Sequence, residues 1–165
     1  LDPSEDHRLI EVGLIEIADG SVSNFYYHQY FNTERRIDPG AVEVHGITNE
    51  FLAPWPSFKE EGRTLLNIID GHELIIHNAP FDLGFLNNEI SLTMPGEPPL
   101  EQRCRITDTL LLARKLHPGQ RNSCSALIDR YRVDVSIYED AYAGALYDAV
   151  LLAQIFLKMR IENDL

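Results

Sequence analysis

The chain has 165 residues, 44% of them hydrophobic and 24% charged, enough for one globular domain with a single core. Its formal net charge of −12 argues against a broad, nonspecific hold on a polyanion through a basic surface, although acidic sites still reach phosphates through divalent cations. No apolar run approaches the roughly 18–20 residues that cross a bilayer, so no membrane span is expected.

The opening Leu1-Asp2-Pro3-Ser4-Glu5-Asp6 is neither basic nor apolar and shows no signal peptide. Leu9 to Ile17 has a strand's apolar bias, interrupted by Glu11. Asp19-Gly20 is a turn signal, and Asn24 to Phe31 is a second strand rich in aromatics, so the two make an antiparallel hairpin. The aromatics Phe25, Tyr26, Tyr27, Tyr30 and Phe31 are read as core and cross-strand packing rather than base stacking. Asp38-Pro39 opens a short helical or turn segment ending near His45-Gly46. Ser57 and Glu60 form a capping box for a helix with Phe58, Leu65, Leu66, Ile68 and Ile69 on its apolar face.

A strand over 73–77 and a helix from about Pro80 to Leu92 follow, then a proline-rich loop from Met94 to Pro99. Cys104 to Thr107 is a short strand, and Asp108 caps a helix over Leu110 to Leu116 that Pro118-Gly119 ends. Ser123 starts another helix through Tyr131. The last helix runs from about Ala141 to Arg160, with Ala145, Ala149, Leu152, Ala153, Phe156 and Leu157 facing inward at helical spacing. Cys104 and Cys124 lack zinc-binding spacing and are expected as reduced, buried thiols of a cytoplasmic protein. A hairpin followed by strands alternating with helices predicts an α/β fold, a mixed sheet flanked by helices.

Three acidic positions stand out against apolar surroundings. Glu11 interrupts the first strand, Asp148 lies within the last helix, and Asp82 falls in the first turn of the helix that follows Leu74-Ile75-Ile76-His77-Asn78. Asp82 therefore sits just past the carboxyl end of a strand, where open α/β sheets bind ligands. Carboxylates gathered at such an end hold Mg²⁺ or Mn²⁺, and two such ions can activate water and polarise a phosphodiester. Taken singly, each has a plainer reading. Glu11 is then a water-facing edge residue, Asp82 a first-turn carboxylate favoured by the helix dipole, and Asp148 a solvated helix position.

Several segments resemble, in order, the DnaQ-type proofreading exonucleases, the epsilon-subunit branch of the DEDDh superfamily. They are Ile10-Glu11-Val12-Gly13, Val44-His45-Gly46-Ile47-Thr48, His77 through Phe85, Thr107-Asp108-Thr109-Leu110, Arg121-Asn122-Ser123 and Gly144 through Ala149. The resemblance implies an RNase H-like mixed sheet and two-metal removal of 3′-terminal nucleotides, with Mg²⁺ or Mn²⁺ as cofactor. By position, Asp82 and Asp148 resemble the second- and third-motif aspartates that hold the metals. His45, Gly46, His77, Asn78 and Phe81 fall in the segments that border the terminal nucleotide, and Glu11 resembles a supporting acidic position. A DNA 3′ end is the implied substrate, with RNA also open, and a polymerase subunit the implied partner.

Two departures from the pattern matter. The family's first motif is a central strand ending Asp-x-Glu-Thr-Thr-Gly, commonly followed by residues like Leu-Asp-Pro, and this sequence starts at Leu1-Asp2-Pro3. The expectation is one exonuclease-type domain over 1–165 lacking that central strand, which an upstream segment would supply. The general-base histidine position, five before the third-motif aspartate, holds Ala143. A methyl group takes no proton from water, so the chain as given is expected to be nearly inert. The alternative is a catalytically dead scaffold of the same fold that docks a polymerase, nuclease or other partner.

Overall fold

The computed structural model describes residues 7–139 and 141–164. Strands β1 (Glu11–Ala18) and β2 (Ser21–Tyr30) form one two-stranded ladder, joined by the tight turn at Asp19-Gly20. Helices α1 (Pro39–His45), α2 (Asn49–Leu52) and α3 (Phe58–Ile69) lead to β3 (Glu73–Ile76). After α4 (Ala79–Thr93) and α5 (Leu100–Arg103) comes β4 (Arg105–Asp108), which pairs with β3. The Arg105 N–H donates to His72 O at 3.1 Å where both strands begin, and the Asn78 N–H meets Asp108 Oδ1 at 3.1 Å where both end. Start pairs with start and end with end, so β3 and β4 run parallel. Helices α6 (Thr109–Leu116), α7 (Cys124–Tyr131), α8 (Ser136–Glu139) and α9 (Gly144–Glu162) complete the chain.

The chain divides into two compact units, one of residues 1–11, 30–74 and 79–106, the other of 12–29, 75–78 and 107–165. In the first unit, Phe31, Leu52, Phe58, Leu65, Leu66, Ile90 and Leu100 are almost wholly buried. The Phe31 and Phe58 rings pack with centroids 5.2 Å apart. Glu89, the one carboxylate buried among the described residues, is 1% exposed on α4. Arg8 grips it bidentately at 2.7 and 2.6 Å, and the Leu9 N–H adds a third bond at 3.1 Å. Charge pairing and full hydrogen bonding offset the cost of burying that carboxylate, and they pin the approach to β1 onto α4.

The second unit is built around α6, α7 and α9. Ala113, Leu127, Tyr131, Ile155 and Met159 form its centre. Each fully buried Leu, Ile or Met there contributes roughly 1.5–3 kcal/mol relative to exposure. Lys158 on α9 donates to the carbonyls of Tyr131 (3.0 Å) and Arg132 (2.7 Å), which satisfies the end of α7.

Most local signals hold. Asp38 caps α1 through the Gly40 N–H, the Ser57–Glu60 capping box opens α3, Asp108 caps α6 and Ser123 caps α7. Five expectations are corrected. The four-residue helices α2, α5 and α8 were not foreseen, because four residues carry no full apolar period. The last helix begins at Gly144 rather than near Ala141, since Gly144 takes φ +55, through which a right-handed helix does not continue.

The inward set of α9 also differs: Leu146, Val150, Leu151, Ile155 and Met159 join Ala153 and Phe156 in the core, while Ala145, Ala149, Leu152 and Leu157 are half-buried. An apolar helix with more than one covered face hides its inward stripe from a periodicity argument. Of the strand aromatics, Phe31 is fully buried, but Phe25 and Tyr26 are 51% and 56% exposed, so packing accounts for only part of that set. Cys104 is buried, its thiol donating to Ile69 O at 3.2 Å, whereas Cys124 is half-buried; neither forms a disulfide.

Candidate active site

In the second unit the chain leaves β3 at His77-Asn78 and is held there by two groups at the start of α6. Asp108 Oδ1 accepts from the N–H groups of Asn78 (3.1 Å), Leu110 (2.8 Å) and Leu111 (3.4 Å), so one side chain caps α6 and fixes the strand end. Asn78 takes φ +68, a left-handed conformation that asparagine tolerates better than most residues. The buried Thr109 hydroxyl lies 3.0 Å from His77 Nδ1 and 3.2 Å from Ile76 O. Replacing Asp108 with alanine removes the cap and the hold on Asn78 together. Asp108→Ala is expected to cost about 1–2 kcal/mol in denaturant unfolding, the upper range for a cap.

Burial holds the His77 imidazole below its ordinary pKa, the nearby Arg114 guanidinium adds to that, and Asp108 and the Asn122 carbonyl oppose it. His117 is lowered as well, by burial first and then by Arg130. Both rings favour the neutral form when folded, so the unfolded chain binds more protons as pH falls below the ordinary histidine range near 6.5. Stability is therefore full above that range and declines as pH drops through it toward the lowered folded values. Thermal melts from pH 8 down to pH 5 are expected to show this decline, and His77→Asn is expected to flatten it.

The same unit carries the third-motif region. Ala143 is the N-cap residue of α9, exposed and extended at φ −139 and ψ 160, with no side-chain hydrogen bond at the cap. Asp148 lies just over a turn further on and is exposed. Tyr142 packs edge-on against Tyr26 at 6.5 Å and beside Tyr138 at 6.5 Å. Gly13 of β1 lies so close to this helix start that a Cβ there would fall 2.3 Å from the Ala145 carbonyl carbon and the Leu146 nitrogen. Glycine is required at 13 by that close approach.

In the first unit, Asp82 is exposed in the first turn of α4. Phe81, 46% exposed, stands beside Phe85 with centroids 5.2 Å apart. His45 ends α1, and its Nδ1 accepts the Ile47 N–H at 3.0 Å, which places the proton of the neutral ring on Nε2. Gly46 follows at φ +73 and closes the helix with a 2.7 Å bond from its N–H to Val42 O. Glu11 is half-buried against Tyr30. Burial first, then the Glu11 charge and a hydrogen bond to Glu11, push the Tyr30 phenol above its ordinary pKa. Tyr30 in turn packs on Phe51 and Trp55 at 4.9 and 5.3 Å.

His77 and Asn78 are thus brought together on Asp108 and Thr109, Ala143 and Asp148 share the start of α9, and Phe81 and Asp82 share the start of α4. Among the described residues no three His, Cys, Asp or Glu side chains gather into a metal-holding group. Glu11, Asp82 and Asp148 are the acids that stand out against apolar surroundings in the sequence, yet the buried carboxylate among the described residues is Glu89. Its position between Phe85, Leu86 and Ile90 was the available signal.

The model of the exonuclease family (RNase T) matches residues 1–156. The chain belongs to the exonuclease family. DNA polymerase III subunit epsilon of Escherichia coli (strain K12) is 42% identical over 155 residues, 94% of this exonuclease chain and 63% of that protein's length. The Rickettsia prowazekii (strain Madrid E) epsilon subunit is 41% identical over 159 residues, 96% of the chain and 69% of the relative. The fold is shared with Exonuclease X in complex with 5′ overhanging duplex DNA (TM-score 0.70, 23% identity, 94% of this chain and 84% of that one). It is shared too with the nuclease domain of 3′hExo, a DEDDh family member bound to rAMP (TM-score 0.73, 14% identity, 94% and 82%). The architecture is accordingly the RNase H-like mixed α/β fold of DEDDh exonuclease domains.

Exonucleases of this family use divalent metal ions. Asp82 and Asp148 fit such an ion in kind, being exposed carboxylates of the hard oxygen type that Mg²⁺ and Mn²⁺ take. Among the described residues neither belongs to a group of three His, Cys, Asp or Glu side chains. A carboxylate holds Mg²⁺ only together with further oxygen ligands, from other side chains, water or phosphate. Among the described residues, no helix is long and apolar enough to cross a membrane.

Proposed function

We propose that this chain is the exonuclease domain of a proofreading 3′→5′ exonuclease that removes nucleotides singly from DNA 3′ ends beside a polymerase in the cytoplasm. The observation that carries the proposal is the 42% identity to a DNA polymerase III epsilon subunit, with Asp82 and Asp148 both exposed at the starts of helices. In this reading Asp82 and Asp148 would hold Mg²⁺ or Mn²⁺. When bound, the ion supplies charge for the phosphodiester and acidifies a water.

The chain's own residues do the positioning. His45, Gly46 and Phe81 border the terminal nucleotide, while His77 and Asn78 shape the floor at the strand end. Glu11 supports the arrangement through Tyr30. In this reading residues 1–165 form a single exonuclease-type domain.

Ala143 stands at the general-base position, and its methyl group leaves hydrolysis slow. That same residue favours a second reading, a catalytically silent domain kept to dock a polymerase or nuclease. A 5′-labelled oligonucleotide incubated with the full-length protein and Mn²⁺ separates the two. The exonuclease reading expects slow, stepwise shortening that a blocked 3′ end abolishes; the docking reading expects none under any metal.

A further inference from the structure

Against a net charge of −12, one stretch of the chain is basic. Arg114, Lys115, Arg121, Arg130 and Arg132 fall within 114–132, where Asp129 is the one acid. This stretch lines two adjoining concavities of about 430 and 470 Å³ that share Gln120. The first reaches from His77 and Asn78 past Arg114 and Asn122 to Ser123, and no carboxylate lines it. The second continues past Arg121 and Arg130, with Asp129 on its wall.

The walls are held in place by bonds that leave the two outer arginines exposed to solvent. Arg130 donates to Asn122 Oδ1 (2.9 Å) and to Arg121 O (2.8 Å), and Asn122 Nδ2 donates to Gln120 O (3.0 Å). Asn122 is buried and fully engaged by these bonds, so the loop over 120–123 is a fixed rim. Arg114 and Arg121 are both exposed. Side chains of that kind lose long-range attraction to most anions on so acidic a protein, unless the anion is brought into the concavity itself.

We infer that Arg114 and Arg121 form a phosphodiester subsite that holds the backbone of a single nucleic-acid strand along the track from Asn78 through Gln120 to Arg130. The proposal rests on the exonuclease reading for its ligand class and extends it to residues outside the metal and base positions. The groups on offer are guanidinium, amide and hydroxyl donors, each able to hydrogen-bond phosphate oxygens, and the guanidiniums also neutralise their charge. Because the proposed contact is to phosphate, the deoxy and ribo forms of one sequence are expected to behave alike.

The test is binding of a fluorescein-labelled single-stranded oligonucleotide by anisotropy across a salt series, without activity as the readout. Arg114→Gln with Arg121→Gln is expected to weaken binding at low salt and to lower the slope of log affinity against log salt by about 1.4, roughly 0.7 per lost contact. Lys59→Gln, an exposed lysine on α3, is expected to leave the slope unchanged. An unchanged slope in the double variant, with an unchanged melting temperature, overturns the inference whatever the activity. A lowered slope in a protein that removes no 3′ nucleotides keeps the phosphate subsite and removes the exonuclease reading instead.

Discussion

Ala143→His in the full-length protein is expected to raise the rate of 3′-end removal by about 10²–10⁴, the contribution typical of a positioned general base. The structure gives this substitution an easy backbone. Residue 143 precedes α9 as its exposed, extended N-cap, so an imidazole enters without displacing a packed neighbour. The gain should fall away below a pH near 6.5, where an exposed histidine protonates and ceases to accept a proton. Ala143→Ser is the matched control. It supplies the cap oxygen that alanine lacks and should stabilise α9 by about 1 kcal/mol, with no gain in rate. Improved stability alone thereby separates from restored chemistry. A rate gain in the serine variant would mean that helix order, not a missing base, limits the chain.

Gly13→Ala is expected to destabilise the protein by about 3 kcal/mol or more, at or above the usual range for overpacking. The added Cβ would meet the Ala145 carbonyl carbon and the Leu146 nitrogen at 2.3 Å and the Ala145 oxygen at 2.5 Å. All three are backbone atoms of the first turn of α9, which cannot yield as a side-chain tip does. Either β1 or that turn must shift, and the turn carries the residues from Ala143 to Asp148. Urea unfolding reads the loss directly. In an Ala143→His background the same change should also lower the rate, because the base position moves with the helix start. Gly62→Ala offers a contrast, since there the atoms nearest an added Cβ belong to the Phe58 ring, the first at 2.6 Å, inside the first unit.

Local chemistry was legible in the sequence wherever one side chain sets the backbone. Asp38, Ser57, Asp108 and Ser123 each announced a helix start that the structure contains. The strand end at His77-Asn78 was legible for the same reason, as an apolar run broken by two polar residues and a proline. Tertiary facts were not. The start of the last helix depended on the positive φ of Gly144, which an Ala-Tyr-Ala-Gly-Ala string does not disclose.

Which acid is buried was not legible from pattern either. Asp148 and Asp82 lie in apolar stretches yet are exposed, because α9 and α4 are apolar on more than one face and their polar residues mark the uncovered strip. Glu89 on the covered side of α4 needed Arg8 as partner, a residue 81 positions away that no local reading supplies. The basic stretch of residues 114–132 was visible as composition, but its place along two joined concavities was not.

In the exonuclease proposed here, Asp148 and position 143 belong to one hydrolytic site acting on 3′ ends. The direct measurement compares the unaltered full-length protein, Ala143→His, and Ala143→His combined with Asp148→Asn on a 5′-labelled primer with a mismatched 3′ terminus and Mn²⁺. A faint ladder, a strong one-nucleotide ladder, and loss of that ladder are expected, in that order. Equal cleavage by all three folded proteins, or shortening from the 5′ end, would contradict that assignment.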